Sequence, residues 1–209
     1  MTIDVGTGDG RAVLDAAALD PTTLALGIDA SAAAMAESSR RAAAPARKGG
    51  RPNAGFIVAA AERLPAELSG LADLVTVLFP WGSLLRGIVG RDESVARGVA
   101  GLIAPGGTLE LLLAPSVRDG VDAWPADAGE LGARVAAAFA PFGLDLVEAR
   151  PATPDEIRAC GSTWAKRLLS GPKAARRNGT GGGGNATSRG GNGTSAIDRT
   201  VLRLRLVRS

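Results

Sequence analysis

The chain has 209 residues, of which 45% are hydrophobic and 22% charged, and these proportions favour one globular domain with a full hydrophobic core. It contains no histidine and a single cysteine, Cys160, which excludes an internal disulfide and argues against a zinc site or a histidine-based catalytic triad. No apolar run approaches the roughly 20 residues that cross a bilayer, and no secretion signal opens the sequence. We therefore expect a cytoplasmic monomer without a metal site or a membrane partner.

Short apolar runs rich in Val, Ile and Leu alternate along the chain with Ala-rich amphipathic segments, which is typical of parallel strands joined by crossover helices. Strands are predicted at residues 2–5, 24–29, 55–59, 74–79, 108–113, 144–150 and 200–207. Helices are predicted at residues 11–19, 32–43, 94–103 and 130–139.

The fifth and seventh strands have distinctive borders. Pro105, Gly106 and Gly107 are interpreted as a stop signal before the fifth strand. The seventh strand follows irregular sequence, and its alternating Leu and Arg residues predict an antiparallel strand with one solvent face. The pattern predicts an α/β fold with a seven-stranded, mostly parallel sheet and an antiparallel last strand.

Residues 178–195 are nearly all Gly, Asn, Ser, Thr and Arg. Such a composition cannot bury enough apolar area to offset the entropy of ordering. We expect a flexible insertion within a single domain that spans residues 1–209.

Charge is strongly polarised along the chain. Residues 157–209 hold eleven basic residues and one acid, whereas residues 1–156 hold 13 basic and 20 acidic residues. A basic segment on an acidic domain suits a polyanion such as a nucleic acid. A solubilising tail explains the charge alone equally well.

A glycine-rich turn follows the first strand. Gly6, Gly8 and Gly10 allow the backbone to turn tightly and to approach a bound nucleoside. A dinucleotide fingerprint would require a third glycine where the chain has Arg11, which disfavours a nicotinamide cofactor. Asp29 ends the second strand, 21 positions after Gly8, where a carboxylate can accept hydrogen bonds from both hydroxyls of an adenosine ribose. The combination predicts nucleoside binding.

Two further segments follow later strands. Residues 60–65 are positioned to line the adenine of a bound nucleoside, although an ordinary loop at the start of a helix fits the spacing equally well. Trp81 stands in a Pro-Gly turn after the fourth strand, and Trp164 stands in the basic segment 162–167, which is predicted to be a loop. We interpret both indoles as base-stacking surfaces, with core packing as the alternative, and favour core packing for Trp124.

The sequence resembles the aminoglycoside-resistance 16S rRNA methyltransferases that modify N1 of adenine 1408. The resemblance covers residues 4 to about 168 and rests on DVGTGDGR, GIDA, PARKGGRPN, AAERLP, LFPWGSLLRG and STWAKRL. It implies a Rossmann-like class I methyltransferase that uses S-adenosylmethionine, with Trp81 and Trp164 clamping the target adenine outside the rRNA helix. Together the glycine turn and the resemblance give these cofactor-binding residues: Asp4, Gly6, Gly8, Asp9, Asp29, Ala60, Ala61, Glu62, Leu78 and Ser83.

The expected partner is 16S rRNA in the small ribosomal subunit, not DNA. The basic residues around Trp164 are predicted to contact rRNA phosphates: Lys166, Arg167, Lys173, Arg176 and Arg177. Two departures from the family pattern are the Gly-rich insertion and an N-terminal hairpin that we expect to be missing before the first strand. The alternatives are a methyltransferase for another RNA, such as tRNA guanine, and a non-catalytic module that binds cofactor or RNA.

Overall fold

The computed structural model describes residues 1–114, 127–169 and 200–209, and within these ranges seven strands form one sheet. The strands are β1 (Thr2–Val5), β2 (Ala25–Asp29), β3 (Ala54–Val58), β4 (Ala72–Leu78), β5 (Ile103–Leu113), β6 (Leu144–Pro151) and β7 (Leu202–Arg208). Their order across the sheet is β3-β2-β1-β4-β5-β7-β6. The strands β1 to β5 pair in parallel, and β7 is antiparallel to both β5 and β6. This arrangement confirms the predicted fold class.

Seven α-helices connect the described strands: α1 (Arg11–Leu19), α2 (Ala32–Ala42), α3 (Gly82–Ile88), α4 (Glu93–Gly101), α5 (Ala128–Phe139), α6 (Pro154–Ala159) and α7 (Thr163–Leu169). Side-chain caps fix several of their starts. The Ser31 hydroxyl accepts from Ala34 N at the start of α2, and the Asp127 carboxylate accepts from Glu130 N at the start of α5. Thr153 and Glu156 form a reciprocal capping box on α6.

The core lies where the central strands meet the helices. Ile3 of β1, Val75 of β4 and Leu111 of β5 are fully buried, as expected for parallel strands covered on both faces. The helix α4 contacts both α3 and α5, and α1 contacts α2. Among the described residues no helix is long and apolar enough to cross a membrane.

The border of α4 and β5 differs from the prediction. The helix ends at Gly101 rather than 103, and β5 already begins at Ile103. The predicted stop signal at residues 105–107 is therefore wrong, because it lies inside β5 as an irregularity. Ile103 pairs with Ala72, and regular pairing resumes at Thr108 opposite Leu74.

The segment 162–167 is helical rather than the predicted loop, because it forms most of α7. Gly161 has a φ of 71° and separates α7 from α6, and Ser162 Oγ accepts from Trp164 N at the start of α7. Ala165 is fully buried and packs into a small apolar cluster with Phe79 and Ile157. The helix α7 spans only seven residues, which is too short for a helical period to be visible in the sequence, and the similarly short α3 and α6 are absent from the prediction for the same reason. The Gly-rich tract 178–195 and Trp124 lie outside the described residues.

Candidate functional site

A cavity of about 270 Å³ lies at the carboxyl ends of the parallel strands β1, β2 and β4. Strand order reverses between β1 and β4, which is where open α/β sheets bind their ligands. Seven of the predicted cofactor residues line it: Gly6, Gly8, Asp29, Ala60, Ala61, Glu62 and Ser83. Trp81 lines it as well.

The glycine turn forms one wall of this cavity. Gly6 and Gly8 have φ angles of 75° and 59°, which residues with a side chain rarely adopt. A Cβ at Gly6 would lie 2.5 Å from Leu84 Cδ2 of α3, whereas one at Gly8 would meet nothing within 4 Å. The turn thus packs against α3 at Gly6 and is open at Gly8, so a ligand can approach its backbone.

Asp29 connects the glycine turn to the start of α2. Its Oδ2 accepts from Gly8 N at 2.9 Å and its Oδ1 accepts from Ser31 N at 2.8 Å. A carboxylate has about four lone-pair sites, so this group can accept further hydrogen bonds from ribose hydroxyls while keeping these two. Asp29 therefore organises the cavity before any ligand arrives.

Asp4 and Leu78 do not line this cavity. They line a second, larger cavity of about 450 Å³ beside α1, whose lining is mostly apolar. Asp4 is only 5% exposed and accepts from Thr76 Oγ1 at 2.8 Å. Burial raises the pKa of Asp4 to about 6. Both residues lie on the central strands that carry the first cavity, but their side chains belong to its neighbour.

Asp9 is directed towards α7. Its Oδ2 accepts from Thr163 Oγ1 at 2.6 Å, and its Oδ1 accepts from Arg11 N at 3.3 Å. It is not among the residues that line either cavity. Its predicted contact with the cofactor remains a prediction.

The two tryptophans meet the site in different ways. Trp81 follows β4, lines the first cavity and is 82% exposed. Trp164 lies on α7 and stacks on Phe79 with ring centroids 5.3 Å apart and an interplanar angle of 25°, which leaves it 39% exposed. Phe79 immediately follows β4, so both indoles are held at the same edge of the sheet.

Phe79 is the residue that sequence reasoning missed. It is the one non-glycine residue in the described ranges with a positive φ, at 52°, and its N–H donates to Leu112 O at 2.8 Å. A left-handed bulky residue costs about 1 to 2 kcal/mol and persists where its surroundings hold it. The sequence Phe-Pro-Trp-Gly marks a turn but carries no sign of this strain.

Lys166 and Arg167 are exposed on α7, next to Trp164. Lys173, Arg176 and Arg177 lie outside the described residues. In the part of the chain that the structure describes, no group of three His, Cys, Asp or Glu residues is arranged to hold a metal ion.

The strand order, the antiparallel β7 and the glycine turn bonded to Asp29 define a Rossmann-like class I methyltransferase. The model of one family matches residues 1–181 and is described as NpmA: 16S rRNA (adenine(1408)-N(1))-methyltransferase. The chain belongs to this family.

Individual relatives agree with this assignment. The chain is 36% identical over 178 residues to the 16S rRNA (adenine(1408)-N(1))-methyltransferase of Streptoalloteichus tenebrarius, covering 81% of this chain and 80% of the relative. The Escherichia coli protein of the same name is 30% identical over 178 residues, covering 82% and 81%.

Among solved structures, a variant of the Catenulisporales acidiphilia enzyme of that name, with cosubstrate SAM, matches with a TM-score of 0.77 and 30% identity over 99% of this chain and 84% of that one. The 16S rRNA methyltransferase KamB matches with a TM-score of 0.78 and 31% identity, covering 100% and 87%.

Proposed function

We propose that this chain transfers the methyl group of S-adenosylmethionine to N1 of adenine 1408 of 16S rRNA in the small ribosomal subunit. The observation that carries the proposal is the cavity in which the glycine turn, Asp29 and residues 60–62 meet Trp81, in a chain of this family. The reaction gives resistance to aminoglycosides that bind the decoding site. A methyl group and a positive charge on the adenine edge remove a hydrogen-bond acceptor and repel cationic drugs.

The cavity fits the adenosine part of S-adenosylmethionine. Asp29 would accept hydrogen bonds from the ribose hydroxyls, residues 60–62 would line the adenine, and the open backbone at Gly8 would allow close approach. When bound, S-adenosylmethionine supplies an electrophilic methyl group on a sulfonium. Ser83 lines the same cavity as Trp81 and would contact the bound cofactor there.

The chain's own residues act by positioning the target base. Adenine N1 is a neutral sp² nucleophile, so methyl transfer requires alignment rather than a general base, in keeping with a chain that has no histidine. Trp81 and Trp164 hold the adenine by stacking, which offsets the few kcal/mol that its extrusion from the helix costs. The product base is cationic, and an indole face stabilises such a charge by about 0.5 to 2 kcal/mol.

Basic residues on and after α7 bind the rRNA backbone in this proposal. Lys166 and Arg167 are exposed beside Trp164, and Lys173, Arg176 and Arg177 follow within ten positions in the sequence. Neutralising phosphates releases condensed counterions, so these contacts supply affinity without sequence information. The enzyme would act as a monomer in the cytoplasm, where small subunits are found.

The alternatives of a tRNA guanine methyltransferase and a non-catalytic module are less favoured, because the family model and the relatives are named for adenine 1408 of 16S rRNA. The two tryptophans at one edge of the sheet also suit a base that must be held out of its helix.

Primer extension on 16S rRNA from cells that express the chain tests the proposal, because a methyl on N1 blocks the Watson–Crick edge. We expect a new stop at adenine 1408, incorporation of labelled methyl into purified small subunits, and resistance to decoding-site aminoglycosides. A matched strain expressing the Asp29→Ala variant should show none of these. Methyl incorporation at another nucleotide, or none at all, would refute the assigned function.

A further inference from the structure

A hydrogen bond joins two parts of the site that are 154 positions apart in the sequence. Thr163 Oγ1 donates to Asp9 Oδ2 at 2.6 Å, which links the glycine turn to the first residue of α7. The acceptor is a carboxylate, and hydrogen bonds to charged groups are the stronger ones. Trp164 is the next residue along α7.

Packing around this bond leaves the start of α7 little freedom. A Cβ at Gly161 would lie 3.1 Å from both Ala12 Cα and Asp15 Oδ2, so the segment before α7 rests directly on α1. On the other side the Trp164 ring stacks on Phe79 at the end of β4. Two neighbouring residues of α7 are thus fixed from two directions, Thr163 by its bond to Asp9 of the glycine turn and Trp164 by its stack on Phe79.

We infer that Asp9 and Thr163 are positioning residues, which set the orientation of Trp164 and through it the target adenine. The inference rests on the proposed function only for the role of Trp164. Asp9 acts through Thr163 rather than by lining the cofactor cavity, which it does not border. The glycine turn that surrounds the cofactor therefore also holds the helix that presents the base.

The test compares Thr163→Val, which removes the donor at nearly constant size, with Thr163→Ser, which keeps it. Thr23→Val is the matched control, because Thr23 Oγ1 donates to Asp20 Oδ2 at the same distance of 2.6 Å at the far end of α1. We expect Thr163→Val to lower kcat on small subunits about tenfold, since a misplaced base reacts more slowly. The Kd for S-adenosylmethionine should stay within about twofold, and Thr163→Ser should restore most of the rate.

A spectroscopic measurement needs no substrate. In a background with Trp81→Phe and Trp124→Phe, Trp164 is the sole indole, and its emission and quenching by acrylamide report its burial. Thr163→Val should increase quenching, whereas Thr163→Ser and Thr23→Val should match the background. Asp9→Ala combined with Thr163→Val should increase quenching no more than Asp9→Ala alone, because Asp9→Ala already removes the bond to Thr163 together with the contacts of Asp9 with Arg11.

The inference is overturned if Thr163→Val leaves both the rate and the quenching of Trp164 unchanged. It is also overturned if Thr163→Val weakens S-adenosylmethionine binding in proportion to the rate, since the bond would then serve the cofactor. If the parental chain does not methylate 16S rRNA, the proposed function fails, but the quenching comparison still decides whether the bond positions Trp164.

Discussion

The site has a proposed cofactor side, formed by the glycine turn, Asp29 and residues 60–62, and a proposed target side, formed by Phe79, Trp81, α6 and α7. Different interactions stabilise the two sides. On the cofactor side, backbone N–H groups of the glycine turn donate to the neighbouring strand β2: Gly6 N donates to Ile28 O at 2.8 Å and Gly8 N donates to the Asp29 carboxylate at 2.9 Å. On the target side, side chains distant in sequence hold two short helices. One example is the stacking of Trp164 on Phe79. The cofactor side should therefore be rigid on its own, whereas the target side depends on single contacts.

An ion-pair network next to the site also depends on contacts between side chains that are distant in the sequence. Arg150 contacts Glu148 and Glu156 at 2.6 Å, and Arg203 of β7 contacts Glu110 at 2.8 Å and both Glu148 and Glu156 at 3.2 Å. Glu156 belongs to α6, so side chains of three strands anchor the helix that precedes α7. Hydrogen bonds from Arg150 hold the pKa of Glu156 well below its usual range.

The largest effect should follow from Asp29→Ala, which removes the ribose acceptor and the anchor of the glycine turn together. We expect the affinity for S-adenosylmethionine to fall by roughly 100-fold or more, as measured by calorimetry. Thermal unfolding in the absence of cofactor shows whether the variant is folded. An unchanged Kd would remove Asp29 from the cofactor side.

Asp4→Asn should stabilise the folded chain at high pH but not at low pH. The carboxyl has a pKa of about 6 in the folded chain, against about 3.9 when unfolded, so its ionisation opposes folding as pH rises from about 4 to 6. The amide still accepts from Thr76 and carries no charge. We expect the free energy of unfolding to increase by up to about 2 to 3 kcal/mol at pH 8, with little change at pH 4. Denaturant-induced unfolding at both pH values measures this free energy. An equal increase at both pH values would mean that ionisation of Asp4 is not the cause.

Trp81→Ala and Trp164→Ala should each lower kcat/KM on small subunits by roughly 5- to 150-fold, the equivalent of about 1 to 3 kcal/mol of stacking. Phe at either position should retain part of the activity, since stacking requires a ring face rather than the indole N–H. Cofactor binding should survive Trp164→Ala, because Trp164 does not line the cavity. Parental rates from both Ala variants would make the tryptophans structural and the clamp wrong.

The smallest effect should come from neutralising basic residues in pairs, such as Lys166 with Arg167, or Arg176 with Arg177. Each lost phosphate contact should flatten the salt dependence of subunit binding by roughly one unit of slope. Binding isotherms at several salt concentrations measure the slope, and Arg40 with Arg41 of α2 form a control pair outside α7. If no pair of substitutions changes the slope of the salt dependence, these residues are solvent-exposed and do not contact the rRNA.

Local signals in the sequence made the cofactor side predictable. The glycine turn and Asp29 are separated by one strand-helix-strand unit, and the sheet brings them to 2.9 Å without any distant residue. The same is true of residues 60–62, which follow β3 and line the predicted cavity. Alternation of apolar and amphipathic segments was sufficient to predict a seven-stranded, mostly parallel sheet with an antiparallel last strand, whereas the order of the strands was not predicted.

The target side could not be predicted in the same way. The Asp9–Thr163 bond and the Phe79–Trp164 stack join residues 154 and 85 positions apart, and neither has a local pattern. Which cavity Asp4 and Leu78 line depends on the face of the sheet towards which each side chain points. Both border the cavity beside α1. At residues 105–107 the predicted stop signal was wrong, because β5 already begins at Ile103, which pairs with Ala72.

The position of β7 has a consequence for the order in which the chain matures during synthesis. β7 lies between β5 and β6 and bonds to both, yet its residues follow β6 in the chain by about fifty positions. Until translation has passed residue 208, the two strands have no common partner, and Arg203 is not yet in place beside α6. The sheet that carries the site would in this way be completed only after β7 has been synthesised.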